Sequence, residues 1–207
     1  MKGTDEMDNK KPIYAVVILK DENYVQSHTF ACLKEIKGIR AIFCDNSKNN
    51  YANFMVEHFA GFKYLPVDSD RDTAYAIHKA AEYIASQDDD AFICVFDKQT
   101  HIEPDYFERL SKKLEDRAIY FPALSENGSP VPMRKVINGL ADGFTLSLET
   151  AKEVFTKDIT IDKANEKLIG LINDGKIKSV KLSDLTIDRR NGKLTEEQIE
   201  WNRRFSW

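Results

Sequence analysis

Asp97, Lys98, Gln99 and Thr100 follow directly on the apolar run Ala91-Phe92-Ile93-Cys94-Val95-Phe96. A carboxylate at such an exit has two uses. It can help cap the helix announced by Glu103-Pro104, because carboxylates suit helix N-termini, or it can hold a ribose hydroxyl or a metal-bound diphosphate. The preceding run says where that chemistry would sit. A short unbroken apolar segment reads as a strand buried on both faces, and open α/β sheets bind ligands where such strands end. Asp45, with Asn46 and Ser47 behind it, leaves the run 39–44 in the same manner, and the acidic loop Asp68-Ser69-Asp70-Arg71-Asp72 follows the run 62–67. Asp88-Asp89-Asp90 precedes its strand and so falls at the wrong end for this chemistry.

The elements that must carry these residues are regular in the first half of the chain. Strands are expected over 12–19, 39–44, 62–67, 91–97 and 119–124, and helices over 22–36, 51–60, 73–86 and 104–114. Helical spacing carries the helix assignments: Val25, Cys32, Leu33 and Ile36 share one face, as do Ala74, Ile77, Ala81 and Ile84. His58 falls in the apolar stripe of the second helix and reads as a partly buried residue rather than a ligand. Strand and helix alternating with short connections require parallel strands joined by right-handed crossovers.

Beyond 124 the pattern is shorter and mixed. Residues 125–132 read as a Gly/Pro/Ser/Asn linker, 134–147 as short strand-like pieces around Gly139 and Gly143, and 147–155 and 162–173 as helices. A strand is expected over 176–185, then a basic turn Arg189-Arg190-Asn191-Gly192. Thr195-Glu196-Glu197-Gln198 matches a capping box that opens a C-terminal helix over 194–207. Its Trp201, Phe205 and Trp207 beside Arg203 and Arg204 suit a membrane surface, a dimer contact or packing back on the domain. Residues 1–11 form a polar arm, 12–193 one domain with a nucleotide-binding half (12–124) and a second half (125–193).

Composition narrows the classes. The 30 basic and 34 acidic residues nearly cancel, to a net charge of −4, so a nucleic-acid partner is not expected. Cys32, Cys44 and Cys94 lie in apolar segments without ligand spacing and read as core residues of a reduced intracellular protein, not as a zinc site. The first residues lack the apolar region of a signal peptide, and no run is long enough to span a membrane, so the expected location is the cytoplasm or its membrane face. A dinucleotide-dependent oxidoreductase is excluded because Leu19-Lys20-Asp21-Glu22-Asn23, and not G-x-G-x-x-G, follows the first strand.

Taken in order, the motifs resemble the family 2 glycosyltransferases of the GT-A fold, particularly the bacterial polysaccharide and rhamnosyl-type members. Cys44-Asp45-Asn46-Ser47 is similar to the family's D-N-x-S-like turn, whose Asp faces the donor base. The segment from Asp70 to Ala80 stands at the family's Asn/Gly-rich helix start, and Val95 to Thr100 at its D-x-D-T motif. Ile161 to Glu166, continuing through Asn173 to Ile177, resembles the acidic acceptor helix and the strand after it. The resemblance spans about residues 12–192. It implies a GT-A, nucleotide-diphospho-sugar transferase-like α/β fold, a three-layer α/β/α sandwich around a mostly parallel central sheet. It also implies a nucleotide-sugar donor held by Asp45, Ser47, Asp70, Asp97 and Lys98, and a divalent cation, Mn or Mg, at Asp97 and Gln99. Asp162 or Glu166 would be the catalytic base toward a glycan or glycolipid acceptor.

Four motifs depart from the family pattern. Gln99 replaces the second Asp of D-x-D, and Asp72, Thr73, Tyr75, Ala76 and Ala80 replace glycines, with His78 in place of an Asn. Asn165 stands at the expected base, and Arg189-Arg190 where many relatives have a metal-binding His. A neutral amide is a poor ligand for a hard cation, whereas ammonium and guanidinium groups neutralise a diphosphate directly. Two readings therefore stand: a transferase in which Lys98, Arg189 and Arg190 offset the diphosphate charge, or an inactive GT-A-like subunit that binds or stabilises a partner transferase; a homo-oligomer is compatible with both.

Overall fold

The computed structural model describes residues 11–19, 28–46, 56–57, 61–68, 71–97, 99–131 and 142–190. Four apolar runs form parallel strands: β1 (Ile13–Leu19), β2 (Arg40–Asp45), β3 (Lys63–Pro66) and β4 (Phe92–Asp97). They lie in the order β3-β2-β1-β4, so that β1 is covered by a strand on both edges. Between them come helices α1 (His28–Glu35) and α2 (Thr73–Gln87). The remaining elements are β5 (Thr100–His101), α3 (Tyr106–Ser111), β6 (Ala118–Glu126), β7 (Ser129–Pro130), β8 (Thr145–Ser147), α4 (Leu148–Val154), α5 (Ile161–Asn173) and β9 (Lys178–Arg189).

These continue the sheet as β4-β8-β6-β9-β5. β8 runs antiparallel to both β4 and β6, while β9 runs parallel to β6, so six of the strands share one direction and the sheet is mostly parallel. Alternation along each strand sends side chains to two separate cores. Val16, Ile18, Ile42, Ile93 and Val95 pack under α2, α4 and α5, while Val17, Leu19, Phe43, Cys94 and Phe96 pack under α1 and α3. Ala74, Ala76, Ala80 and Ala81 put small side chains on the buried face of α2. The three-layer α/β/α sandwich expected from the sequence is the observed architecture.

Several expectations need correction. Residues 125–132 are not a linker: β6 runs to Glu126 and turns back into β7 through Asn127 and Gly128, at φ 50° and 79°. Asn-Gly with positive φ at both positions is the two-residue hairpin turn that suits twisted strands, so the boundary drawn at 124 falls inside a strand. The strand expected over 176–185 extends to Arg189, because β9 pairs with β6 on one side and β5 on the other. Arg189 is thus a ladder residue and not part of a turn. The helix expected over 104–114 is shorter, Tyr106–Ser111, because Asp105 makes no side-chain cap. Of the helix expected over 51–60 only Val56 and Glu57 are among the described residues, and the C-terminal helix over 194–207 lies outside them. Among the described residues no helix is long and apolar enough to cross a membrane.

Candidate functional site at the carboxyl edge of the sheet

The register fixes where the two acidic exits stand. Leu19 of β1 pairs with Asp45 on one side, and Ile18 pairs with Asp97 on the other. Both carboxylates therefore leave the same end of the sheet, separated by β1, or roughly 10 Å of strand spacing. They do not face one another. Asp45 follows Phe43 onto the α1 side, where it is 2% exposed and the Tyr64 hydroxyl donates to its Oδ2 at 3.0 Å. Asp97 follows Val95 toward the α2 side and is exposed.

The loop after Asp97 is held by residues from three other parts of the chain. Asp97 Oδ1 accepts the backbone N–H of Gln99 at 3.0 Å. On α1, Thr29 is fully buried; its hydroxyl accepts Thr100 N–H at 2.9 Å and stands within donor reach of the Asp97 and Thr100 carbonyls. From the turn before β8, Asp142 accepts the N–H of Asp97 at 2.8 Å and the Thr100 hydroxyl. Burial, and then the charge of Asp97, push the Asp142 carboxyl above the ordinary carboxylate range, against the pull of Thr100, the Asp97 N–H and Arg189.

The exit of β9 closes on the same loop. Thr100 pairs with Arg189, Arg189 Nε lies 3.8 Å from Asp142 Oδ2, and the Arg190 N–H donates to the Gln99 carbonyl at 2.8 Å. Arg190 Nε is also 3.3 Å from Asp188 Oδ2. The Arg189 side chain remains 43% exposed, so part of its charge is presented to solvent at this loop. Gly143, at φ 75°, is required here: a Cβ would come within 2.5 Å of Ile187 Cδ1 and 2.9 Å of Pro122 Cγ. Neither Asp142 nor Thr29 was singled out in the sequence, where the only signal was the Asp-Gly pair at 142–143.

The acceptor-side candidates are placed differently. Asp162 and Glu166 occupy exposed positions one turn apart on α5, and no hydrogen bond or ion pair joins either to Asp97, Arg189 or Arg190. Asn165 is half-buried on the same helix. Asp72 has a structural use: Oδ1 accepts Ala74 N–H at 2.8 Å and caps α2, while Oδ2 accepts Ile161 N–H at 2.7 Å and fixes the start of α5. Ser47, Asp70 and Lys98 lie outside the described residues.

No group of three or more His, Cys, Asp or Glu among the described residues is gathered for an ion. Asp142 already accepts two hydrogen bonds, and the Gln99 side-chain oxygen is enclosed, with no hydrogen-bond partner among the described residues.

No protein-family model and no curated protein sequence matches the chain. Solved structures do. The crystal structure of S. aureus TarS 1–349 superposes with a TM-score of 0.63 at 11% identity over 86% of this chain and 60% of that one. The chain thus spans 60% of the TarS fragment's length; the same fragment has also been crystallised in complex with UDP. 4-Diphosphocytidyl-2C-methyl-D-erythritol synthase gives a TM-score of 0.59 at 13% identity, over 94% of this chain and 97% of that one. Glucosyl-3-phosphoglycerate synthase from Mycobacterium tuberculosis, crystallised with Mn2+, UDP and phosphoglyceric acid, gives 0.57 at 13% identity, over 89% of this chain and 72% of that one. The strand order, the strand directions and these superpositions together give the chain the GT-A fold, the architecture of nucleotide-diphospho-sugar transferases.

Proposed function

We propose that the chain binds a nucleotide-sugar donor at the carboxyl edge of β1, β2 and β4 and transfers its sugar to a glycan or glycolipid precursor. One observation carries this reading: Asp97 at the end of β4 and Arg189 at the end of β9, far apart in sequence, flank one loop anchored by Asp142. Support also comes from the fold, which is shared with proteins crystallised with UDP. Asp97 hydrogen-bonds the ribose, and Arg189, with Arg190, meets the diphosphate charge, since guanidinium forks suit phosphate oxygens. In such a site the leaving diphosphate is stabilised by fixed side-chain charge. Asp45, enclosed under Tyr64, acts by holding the β2 exit in place. Asp162 or Glu166 takes the acceptor proton once an acceptor spans from α5 to the loop.

Titration calorimetry with UDP and UDP-sugars, with Mn2+ and with a chelator, tests the proposal. Saturable binding that survives chelation and is lost in Asp97→Ala supports it; no binding of any nucleotide sugar overturns it. A second reading, a non-catalytic subunit that stabilises a partner transferase, is favoured by the neutral Gln99 amide in place of a carboxylate and by Asn165 at the base position. It requires stable copurification with a second transferase and no sugar transfer by the chain alone.

A further inference from the structure

Beside the loop just described, Cys32 Sγ lies 3.4 Å from His101 Nδ1, and the other ring nitrogen of His101, Nε2, lies 3.4 Å from Glu103 Oε1. Three elements supply this chain of atoms. Cys32 is on α1, one turn beyond His28; His101 is in β5, paired with Asp188 of β9; Glu103 lies in the segment that leads into α3, where its carbonyl accepts the Tyr106 N–H at 3.1 Å. A carboxylate at Nε2 holds the proton on that nitrogen and leaves the Nδ1 lone pair directed at the thiol. Thiol, imidazole and carboxylate in that order form a nucleophile with a base and an orienting group.

The surroundings matter for the thiol's reactivity. Burial raises the Cys32 thiol above its ordinary value, partly opposed by the Ile102 backbone amide and by the Arg190 charge. Left to itself such a thiol would be sluggish at neutral pH, because the thiolate is the nucleophile. The groups that face the pair are His28 on α1, Arg190 and Asp188 at the end of β9, and Glu103 itself. The His101 side chain is 28% exposed, so a small molecule has a path to the ring. Cys44 and Cys94 are both in the core, with thiols pushed up to about 12, whereas Cys32 is only half-buried and is the most accessible of the three thiols.

We propose that Cys32, His101 and Glu103 form a second reactive centre, a covalent modification site for soft electrophiles of the α,β-unsaturated carbonyl class. In the addition, the Cys32 S–H proton passes to His101 Nδ1 and sulfur bonds to the β-carbon. The alkene π pair moves onto the α-carbon and carbonyl oxygen, and the α-carbon then takes the proton back from His101. No leaving group or co-reactant is needed.

The test follows N-ethylmaleimide addition to the full chain at neutral pH by intact mass and peptide mapping. The expected result is a single adduct on Cys32. His101→Gln lowers the rate by about 10- to 100-fold. Glu103→Gln, which keeps the imidazole but not the carboxylate, gives a smaller loss of rate. An adduct mainly on Cys44 or Cys94, or an unchanged rate in His101→Gln or in Glu103→Gln, overturns the proposal. The wild-type adduct site and the Glu103→Gln rate decide the matter even if the His101 variant fails to fold, and neither depends on whether a nucleotide sugar binds.

Discussion

The buried carboxylate of Asp142 accepts the backbone N–H of Asp97 at 2.8 Å, so a residue 45 positions downstream sets the direction in which the β4 exit leaves the sheet. The same carboxylate takes the Thr100 hydroxyl, and its side chain is 0% exposed. Asp142→Ala is expected to cost about 2 to 4 kcal/mol, because a buried N–H and a buried hydroxyl lose their acceptor in one step. Asp142→Asn keeps one acceptor oxygen and should cost less. Urea denaturation of both variants checks the order, and an alanine variant as stable as the asparagine one would contradict it.

Asp142 and Asp188 give opposite dependences on pH. The Asp142 carboxyl is raised, chiefly by burial, so its contribution is complete below the ordinary carboxylate value near pH 3.9 and is lost as pH rises through the raised folded value. At Asp188 burial pushes upward, but the Ser125 hydroxyl, the Gly128 N–H and Arg190 together outweigh it and hold the carboxyl low. Its contribution is present above the ordinary value and is lost as pH falls through the lowered one. The stability difference between wild type and Asp142→Asn should therefore shrink as pH rises from about 4, while that for Asp188→Asn should shrink as pH falls below about 4. Denaturant midpoints measured across this range decide both signs.

Gly143→Ala is expected to destabilise the protein by about 2 to 4 kcal/mol, through a left-handed backbone and contact with the Pro122 ring. Gly128→Ala should cost less: it shares the positive φ, but its Cβ would meet nothing within 4 Å. Thermal melts of the two variants side by side test the steric part of the argument. Equal losses would mean that the backbone angle alone matters.

Asp72→Ala removes the side-chain cap of α2 and the acceptor for Ile161 N–H together. A loss of about 1 to 2 kcal/mol is expected, the cost of a lost N-cap. Hydrogen exchange should show faster amide exchange at both helix starts, at 74–75 and at 161. Faster exchange in α2 alone would show that the link to α5 carries no stability.

The first half of the fold was legible because its signals are local. Unbroken apolar runs at 13–19, 41–44 and 92–96 read as strands covered on both faces, and α2 declares itself through Ala74, Ile77, Ala81 and Ile84 at helical spacing. Asp97 at a strand exit was readable for the same reason. The hairpin at Asn127-Gly128 was legible too, but it was read as a linker because the residues around it are polar and Pro-rich on both sides.

Chain order and residue type by themselves determined that acidic groups stand at the ends of parallel strands, and hence the edge on which a ligand would sit. They did not determine which way those groups point. A one-residue difference in register across β1 sends Asp45 under Tyr64 and Asp97 into solvent, and such register is set by pairing between strands, not by either strand alone. Only the tertiary structure brought Thr29, Asp142 and Arg189 to the Asp97 loop and Cys32 to His101, because those contacts close between residues separated by 45 to 89 positions, which leaves no local trace.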